Sequence, residues 1–486
     1  MGILSELEPN SVFKYFEDIC NIPHGSGNTA GITQYLVEFA KNKNLEYIVE
    51  PCGNCIIKKP ASKGCEECEP VLLQGHVDMV CEKNFDYDSK HDFMSDPLKL
   101  AVMDDYVFAK GTTLGADDGI AVAYMLAILE DDTIKIPRLE CLFTVDEEIG
   151  MRGMLALDES NITARRMINI DNEMEGEILT SSAGGRMVKC QIPVRYTEKT
   201  GYAYDIVICG LRGGHSGQEI DKYRGNANLL MGRLLHYISS RLNYDVYYLK
   251  GGLQDNAIPR EAKVSVIIHE KDASKLEDYV ADFQTTIQNE YRHIEDNITI
   301  YCESRDKVTE RVLTPKTKDR IVFLLMTIPD GIVKMCPDLD KVVQTSSNAG
   351  IARLKDTYFE LIINIRSSIS SEKQALSDKI QFLTETIGGK FLIESDFPAW
   401  EYRQKSKLRD LVCEVFNNVY GYKPQFNCIH ACLECGVVID KINDMDIVAL
   451  GPNIEDIHTP KEKLDIKSCE RTYELLIDIL EKCTEE

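Results

Sequence analysis

The chain has 486 residues, of which 44% are hydrophobic and 28% charged, and its formal net charge is -24 at pH 7. This excess of acid over base argues against nucleic acid and against anionic membrane surfaces as partners. No apolar run approaches the ~20 residues needed to span a bilayer, and the first residues lack the basic and apolar segments of a signal peptide. We therefore expect a cytoplasmic protein of two or three domains.

The first third of the chain alternates helix and strand patterns. Apolar residues recur at helical spacing in the stretches 11–22, 31–44 and 119–131. Short apolar runs, of the kind found as strands inside mixed or parallel sheets, lie at 55–59, 71–76, 139–145 and 165–170. This order predicts an α/β domain with a mixed β-sheet flanked by helices.

The pattern changes near Gly184 and Gly185. Strand candidates follow at 186–196, 202–213, 262–270 and 358–369, with helices at 226–242 and 371–388. The chain returns to the first domain near FPAWEY, and its last segment supplies two helices, a strand and His458. We therefore predict one domain formed by residues 1–184 and 397–486, interrupted by an inserted α+β domain over residues 185–396.

Acidic and imidazole side chains recur just past apolar runs that are typical of buried strands. They are His76 and Asp78 in VLLQGHVDM, Asp117 in GTTLGADDG, Glu147 and Glu148 in LECLFTVDEEIG, Asp171 in RRMINIDNE and His458 in DIVALGPNIEDIHTP. Open α/β sheets bind ligands at the carboxyl ends of their strands, and imidazole with carboxylate is the ligand set of zinc or a similar ion. Each residue alone is better explained as a surface acid or a core histidine, but together they indicate a two-metal hydrolase.

Two of these pairs predict a division of roles. His76 is expected to bind a metal ion, with Asp78 hydrogen-bonded to its other ring nitrogen. Glu147 and Glu148 are adjacent, so in a turn they point in different directions. One of them can then bind metal while the other stays free as a general base.

Seventeen cysteines in a chain without an export signal are expected to be mostly reduced thiols. Two C-x-x-C pairs, the pattern of a structural zinc site, are formed by Cys52, Cys55, Cys65 and Cys68. The alternative is that 55–60 and 70–78 are paired strands, with the second cysteine pair on the connecting loop. A further cluster is better explained as a buried turn and helix start than as a metal site; it contains Cys428, His430, Cys432 and Cys435.

Ordered motifs along nearly the whole chain resemble those of the aminoacyl-histidine dipeptidases (Xaa-His or beta-alanyl-histidine dipeptidases), which are co-catalytic M20 metallopeptidases. The motifs are IPHGSGN, QGHVDMVCEKN, GTTLGADDGI, DEEIGMRG, GLRGGHSG, DNAIPREA, INIRSS, ECG and the segment from GP to HTP. The resemblance implies a catalytic domain with an inserted lid domain. It also implies cleavage of small unblocked dipeptides, including carnosine-like Xaa-His substrates, with a homodimer left open. Two divalent ions are implied, zinc by default, with manganese or cobalt as alternatives.

The resemblance assigns roles to the residues that match its motifs. In one metal site the ligands would be His76, Asp117 and Asp171. In the second they would be Asp117, Glu148 and His458, so that Asp117 bridges the two ions. Glu147 would be the general base and Asp78 the acid that orients His76.

Three residues of the predicted lid also match. His215 would stabilise the developing oxyanion, and Asn256 and Arg366 would hold the terminal carboxylate and main chain of the substrate. Without the resemblance, His215 is explained comparably well as an exposed residue of a flexible turn. Arg366 is explained comparably well as a surface arginine at the end of a strand. The chain departs from the family at Asp118, where the family more often has Asn, and at Cys432, where it more often has Gly.

Two other functions stay open on the sequence. The metal residues do not distinguish a dipeptidase from an amidohydrolase that removes the acyl group of an N-acyl amino acid. A non-enzymatic peptide-binding protein with a dead metal site is disfavoured, because Glu147 and all five metal ligands are present.

Overall fold

A computed structural model describes residues 2–85, 91–337 and 341–485. The α-helices found there are α1 (Asn10–Cys20), α2 (Ala30–Asn42), α3 (Ala116–Glu130), α4 (Arg152–Ala156), α5 (Ala227–Ser239), α6 (Ala273–Glu290), α7 (Pro315–Thr327), α8 (Ser370–Thr386), α9 (Lys407–Tyr420), α10 (Glu434–Lys441) and α11 (Ile466–Lys482). None of these helices is both long enough and apolar enough to cross a membrane.

The strands of the described ranges are β1 (Glu46–Val49), β2 (Cys55–Lys59), β3 (Val71–His76), β4 (Leu100–Met103), β5 (Tyr106–Ala109), β6 (Leu139–Thr144), β7 (Arg166–Asn169), β8 (Glu177–Ser182), β9 (Gly184–Pro193), β10 (Tyr196–Cys209), β11 (Gly214–His215), β12 (Asp245–Gly251), β13 (Ala257–Ile258), β14 (Ala262–Ile268), β15 (Thr299–Leu313), β16 (Gly331–Met335), β17 (Val343–Leu354), β18 (Tyr358–Ser367), β19 (Lys390–Asp396), β20 (Gln425–Ile429), β21 (Asp446–Ala449), β22 (Ile454–Glu455) and β23 (Lys463–Asp465).

The chain divides into two compact units, each with its own hydrophobic core. Unit 1 comprises the described residues of Met1–Ser181, Tyr402–Cys428 and Glu434–Glu486, and unit 2 comprises those of Ser182–Glu401 and Ile429–Leu433. The junctions therefore lie a few residues from those predicted at 184 and 397. The short segment 429–433 belongs to unit 2, although the prediction placed it with 397–486.

Unit 1 is built on an eight-stranded mixed sheet of order β1-β2-β6-β3-β7-β21-β8-β20. The central strands β6, β3, β7 and β21 run parallel to one another. Strand β6 lies between β2 and β3, so the expectation that 55–60 and 70–78 are paired strands is wrong. The reason is the connection through α3, which brings the chain back to lay β6 parallel to β3.

Helix α3 is apolar on every side, and its residues 118–129 are all buried. A helix of this composition belongs in a core, and α3 packs there against α1 and β3. The turn before it uses Gly115 at φ +69°, a left-handed conformation that glycine adopts without strain. The first residues of α3 are therefore held against the carboxyl end of the sheet, and Asp117 is among them.

Unit 2 is built on a sheet of order β15-β10-β14-β12-β17-β18-β9-β19, with β16 paired to β17. Alternate residues such as Ile206, Ile208 and Val264 are fully buried in a core shared with α5 to α8. A separate two-stranded ribbon joins β11 to β13. The mixed sheet with flanking helices in unit 1 and the α+β unit 2 confirm the predicted fold class.

Candidate metal centre

Three adjacent parallel strands bring most of the predicted ligands to one edge of the unit 1 sheet. His76 is the last residue of β3, Glu147 and Glu148 follow β6 within four residues, and Asp171 follows β7 by two. Because parallel strands end at the same edge, these side chains meet there. Asp117 arrives differently, since it lies at the start of α3 and not after a strand of this sheet.

The carboxylate of Asp117 lies between two histidines. Its Oδ1 is 3.2 Å from His76 Nε2, and its Oδ2 is 3.1 Å from His458 Nε2. His76 Nε2 also lies 3.9 Å from Asp171 Oδ1, and His458 Nε2 lies 2.8 Å from Glu148 Oε1. The five residues therefore form two groups that share Asp117.

Three sets of possible ligand atoms lie within 4.8 Å of one another in the described chain. They are His76 with Asp117 and Asp171, Asp117 with Glu148 and His458, and His76 with Glu147 and Glu148. Each set combines imidazole nitrogen with carboxylate oxygen, the donor chemistry of zinc and related ions. The residues present therefore fit two divalent ions that share one carboxylate.

Asp78 contacts Nδ1 of His76, the ring nitrogen that does not face Asp117. His76 Nδ1 lies 2.9 Å from the backbone oxygen of Asp78 and 3.6 Å from its carboxylate Oδ1. The backbone oxygen is thus the nearer acceptor, whereas the sequence predicted the carboxylate. With Nδ1 held by Asp78, Nε2 is the ring nitrogen that faces Asp117 and that can bind a metal ion once it is deprotonated.

The Asp78 carboxylate mainly organises the turn after β6. It accepts hydrogen bonds from the backbone nitrogens of Glu147 at 2.9 Å and Glu148 at 3.3 Å, and from Ser26 Oγ at 2.8 Å. Asp78 is 1% exposed, so these bonds replace the hydration that its charge loses. The two glutamates are therefore positioned through their backbone, which leaves both side chains free to point elsewhere.

The crowding of acids shifts several protonation equilibria. Burial raises the pKa of Glu147 to about 8, and the neighbouring carboxylates of Glu434 and Glu148 add to the rise. Hydrogen bonds to Asp117 and Glu148 raise the pKa of His458 to about 10. Burial alone would raise the pKa of Asp117, but hydrogen bonds from His458 and His76 lower it. These shifts are typical of a site built for cations.

His215 and Arg366 lie in unit 2, where the structure brings them together with His430. A Cβ placed on Gly217 would lie 3.1 Å from Arg366 Nε, 3.1 Å from His215 Cε1 and 2.4 Å from the His430 backbone oxygen. Arg366 is 7% exposed, and its buried Nε has no hydrogen-bond partner in the described part of the chain. A buried guanidinium nitrogen without an acceptor is costly unless an anion binds there.

His215 presents one ring nitrogen to a ligand. Its Nδ1 accepts a hydrogen bond from the Gln218 backbone at 3.1 Å, so the neutral ring carries its hydrogen on Nε2. Burial, with Arg366 nearby, lowers the pKa of His215 to about 4 and keeps the ring neutral. Asn256 is exposed and immediately precedes β13, the strand that pairs with His215 in β11. Its backbone oxygen accepts a hydrogen bond from the backbone nitrogen of Ser216 at 2.8 Å. All three predicted lid residues therefore lie in unit 2.

The cysteines take no part in any of the possible metal groups found among residues 2–85, 91–337 and 341–485. Cys55 is buried within β2, while Cys52 is exposed. His430 is buried and lies 2.7 Å from Ser346 Oγ through its Nε2. This contact accounts for the imidazole in the second cysteine and histidine cluster.

Two further acids near the centre were not predicted from the sequence. Glu434 is fully buried and accepts hydrogen bonds from Gln74 and Thr144, which lie on β3 and β6. Glu462 is 2% exposed and accepts bonds from the backbone of residues 114–117. Glu434 lies within the ECG motif and Glu462 lies two residues after HTP. Neither directly follows a strand of the unit 1 sheet, so the rule that selected the metal ligands did not select them.

Residues 72–482 match the model of peptidase family M20/M25/M40. The chain belongs to this family. The prediction of an M20 peptidase from the ordered motifs is therefore confirmed. The matched range includes every residue of the two ligand groups described above.

Individual relatives extend the comparison of this M20 peptidase over its whole length. It is 35% identical over 486 residues to the cytosol non-specific dipeptidase of Escherichia coli (strain K12), covering 99% of each chain. The crystal structure of aminoacylhistidine dipeptidase from Vibrio alginolyticus matches with a TM-score of 0.90 and 34% identity, over 98% of this chain and 97% of that one. A tripeptidase from Staphylococcus aureus, 14% identical over 99% of this chain and all of its own, shares the fold with a TM-score of 0.57.

The raised pKa of His458 predicts that zinc binding releases protons. At pH 7.5 the ring is protonated in the metal-free protein, because its pKa is about 10, and it must lose that proton to bind a metal ion. Zinc affinity should therefore climb as the pH rises towards 10. Calorimetry in buffers of different ionisation enthalpy measures the protons released. His458→Gln should release fewer protons on binding zinc than the wild type does. The control variant His236→Gln, at an exposed histidine, should release as many protons as the wild type. Equal proton release by all three proteins would contradict the assignment of His458 as a ligand.

Proposed function

We propose that this M20 peptidase is a metal-dependent dipeptidase that hydrolyses unblocked dipeptides, including Xaa-His substrates. The observation that carries the proposal is the shared carboxylate of Asp117, which contacts His76 through one oxygen and His458 through the other. Near full-length similarity to two proteins named as dipeptidases supports the substrate class. The cytosolic name of one of them supports a cytoplasmic location.

The proposed ligands are the five residues of the two groups. One ion is assigned to His76, Asp117 and Asp171, and the other to Asp117, Glu148 and His458. When bound, two such ions polarise a scissile carbonyl and lower the pKa of water. Zinc is the default for this donor set, and manganese or cobalt also suits three carboxylates with two imidazoles.

Glu147 is proposed as the general base. Its backbone is fixed by Asp78, and its side chain lies beside His76 and Glu148. Because its pKa is raised to about 8, its carboxylate is a stronger base than an exposed glutamate and is better matched to proton transfer near neutral pH. It would accept a proton from the attacking water and pass it to the leaving amine. Asp78 is proposed as the residue that orients both His76 and the Glu147 turn.

The unit 2 residues are proposed to act on the substrate. His215 offers a neutral ring with a hydrogen on Nε2, the form that donates to a developing oxyanion. Arg366 has a buried Nε that lacks an acceptor, and a planar guanidinium binds a carboxylate through two hydrogen bonds. Asn256 is proposed to hold the substrate main chain beside it.

The first test separates a dipeptidase from an amidohydrolase. Purified protein should release amino acids from carnosine and from other free dipeptides, and much less from N-acetylated amino acids. A chelator should abolish hydrolysis and zinc, manganese or cobalt should restore it, because deprotonated ligands hold removable ions. Preferential release of acetate from N-acetyl amino acids would instead support the amidohydrolase. Full activity in protein shown to be free of metal would exclude the two-metal mechanism.

The adjacent glutamates provide a second test, because one is a base and the other a ligand. Glu147→Ala should keep both ions yet lower kcat by about 10²–10⁴-fold, since only the proton acceptor is lost. Glu148→Ala should lose metal together with activity. Metal content by mass spectrometry, measured beside kcat on the same samples, distinguishes them. The reverse pattern would show that the two roles have been exchanged.

Carboxylate binding by Arg366 provides a third test. A dipeptide with a free C-terminus should be cleaved far faster than its C-terminal amide. A hydrogen bond between charged groups contributes roughly 1.5–3 kcal/mol, so Arg366→Ala should lower kcat/KM on the free dipeptide by about one to two decades. The same variant should narrow the difference between free dipeptide and amide. Equal cleavage of both by the wild type would refute carboxylate anchoring.

A further inference from the structure

Glu462 accepts hydrogen bonds from four backbone nitrogens of the loop that leads into Asp117, whereas an N-cap side chain accepts from one or two. Its Oε2 accepts hydrogen bonds from the backbone nitrogens of Leu114 at 2.8 Å and Gly115 at 3.0 Å. Its Oε1 accepts from Ala116 at 2.8 Å and from Asp117 at 3.3 Å. Four consecutive N–H groups thus converge on one carboxylate that lies about 345 positions away in the sequence.

The carboxylate of Glu462 has no counter-ion of the usual kind. It is 2% exposed, and none of the ion pairs within the described residues joins it to a lysine or arginine. Its partners are N–H groups at the amino end of α3, which carry partial positive charge. Replacing either carboxylate oxygen by a donor group would therefore leave two of these backbone N–H groups without an acceptor, which is costly in a water-free interior.

Glu462 also lies on the same short loop as His458. Its backbone nitrogen donates to the Thr459 oxygen at 3.0 Å, and the next residues enter β23, which pairs with β5 and contains the fully buried Leu464. The loop is therefore held at one end by the pairing of β23 with β5, and internally by the hydrogen bond from Glu462 to Thr459. His458, at φ +59°, projects from this braced loop towards Asp117.

We propose that Glu462 is a positioning residue for the metal centre. It fixes the backbone of Asp117 and ties that residue to the loop of His458, so that one carboxylate sets the separation of two ligands from distant parts of the chain. The role rests on the proposed ligand assignment and requires no contact between Glu462 and an ion. A residue that holds ligands in place in this way should control metal affinity.

The test compares zinc affinity in Glu462→Gln and wild type by titration against a competing chelator. Glutamine keeps the size of the side chain but turns an NH2 group towards two of the four donors. Zinc affinity should fall by about 10–100-fold, the usual effect of losing a partner that orients ligands. Glu455→Gln removes the same charge from the end of β22, just before this loop, where Glu455 is exposed and pairs with Lys463. This variant should bind zinc as the wild type does. Equal affinity in all three proteins would overturn the proposal.

A second variant separates geometry from charge. Glu462→Asp keeps the negative charge but shortens the side chain by one methylene, so it cannot reach all four donors. It should also weaken zinc binding, whereas a purely electrostatic role would leave the affinity of this variant unchanged. Circular dichroism of both variants checks that the fold is retained.

A measurement on the metal-free wild type does not depend on any variant. The amide hydrogens of residues 114–117 should exchange slowly with solvent, because a buried carboxylate holds them. Fast exchange there would overturn the proposal even if Glu462→Gln failed to fold. Zinc affinity and exchange are both read without substrate. Wild-type protein that bound two ions but cleaved no dipeptide would therefore refute the proposed function while leaving the role of Glu462 intact.

Discussion

Repulsion between carboxylates is the constraint around which unit 1 is arranged. Nine acids crowd the edge of the sheet where β6, β3 and β7 end: Asp78, Asp117, Asp118, Glu147, Glu148, Asp171, Glu173, Glu434 and Glu462. None of them forms an ion pair with lysine or arginine within the described chain; the ion pairs found there are with His76 and His458. Backbone N–H groups replace the missing cations at Asp78 and Glu462. The remaining negative charge is what the proposed divalent ions would neutralise.

This arrangement explains why the supporting residues lie on the most rigid elements available. Gln74 and Thr144 are fully buried on β3 and β6, and both donate to Glu434. Helix α3 is buried on all sides, so the loop before it has little freedom to move. Repulsive groups stay together because the surrounding packing prevents their separation, and binding of the proposed cations would offset the electrostatic cost.

Much of this could be predicted from the sequence, for identifiable physical reasons. Strands β3, β6 and β7 are short and apolar, and each is followed by an acid or histidine, so their shared edge could be predicted without coordinates. Asp117 could not be placed by the same rule, because its position depends on the turn at Gly115 and on α3. The neighbours of β2 were predicted wrongly, since strand order depends on the crossover and not on sequence proximity. The role of Glu462 could not be predicted, because its partners are backbone N–H groups, which do not appear in a pattern of side chains.

The segment Ile429–Leu433 gives the chain an unusual connectivity, because it belongs to unit 2 while the residues on either side belong to unit 1. It brings His430 to Ser346, so unit 2 is completed by five residues from beyond its main boundary. If unit 2 were transferred between two relatives as the single stretch Ser182–Glu401, the segment Ile429–Leu433 would be left out. Recombination at the obvious junctions would therefore separate Ser346 from its imidazole partner, and the two parts of unit 2 must be inherited together.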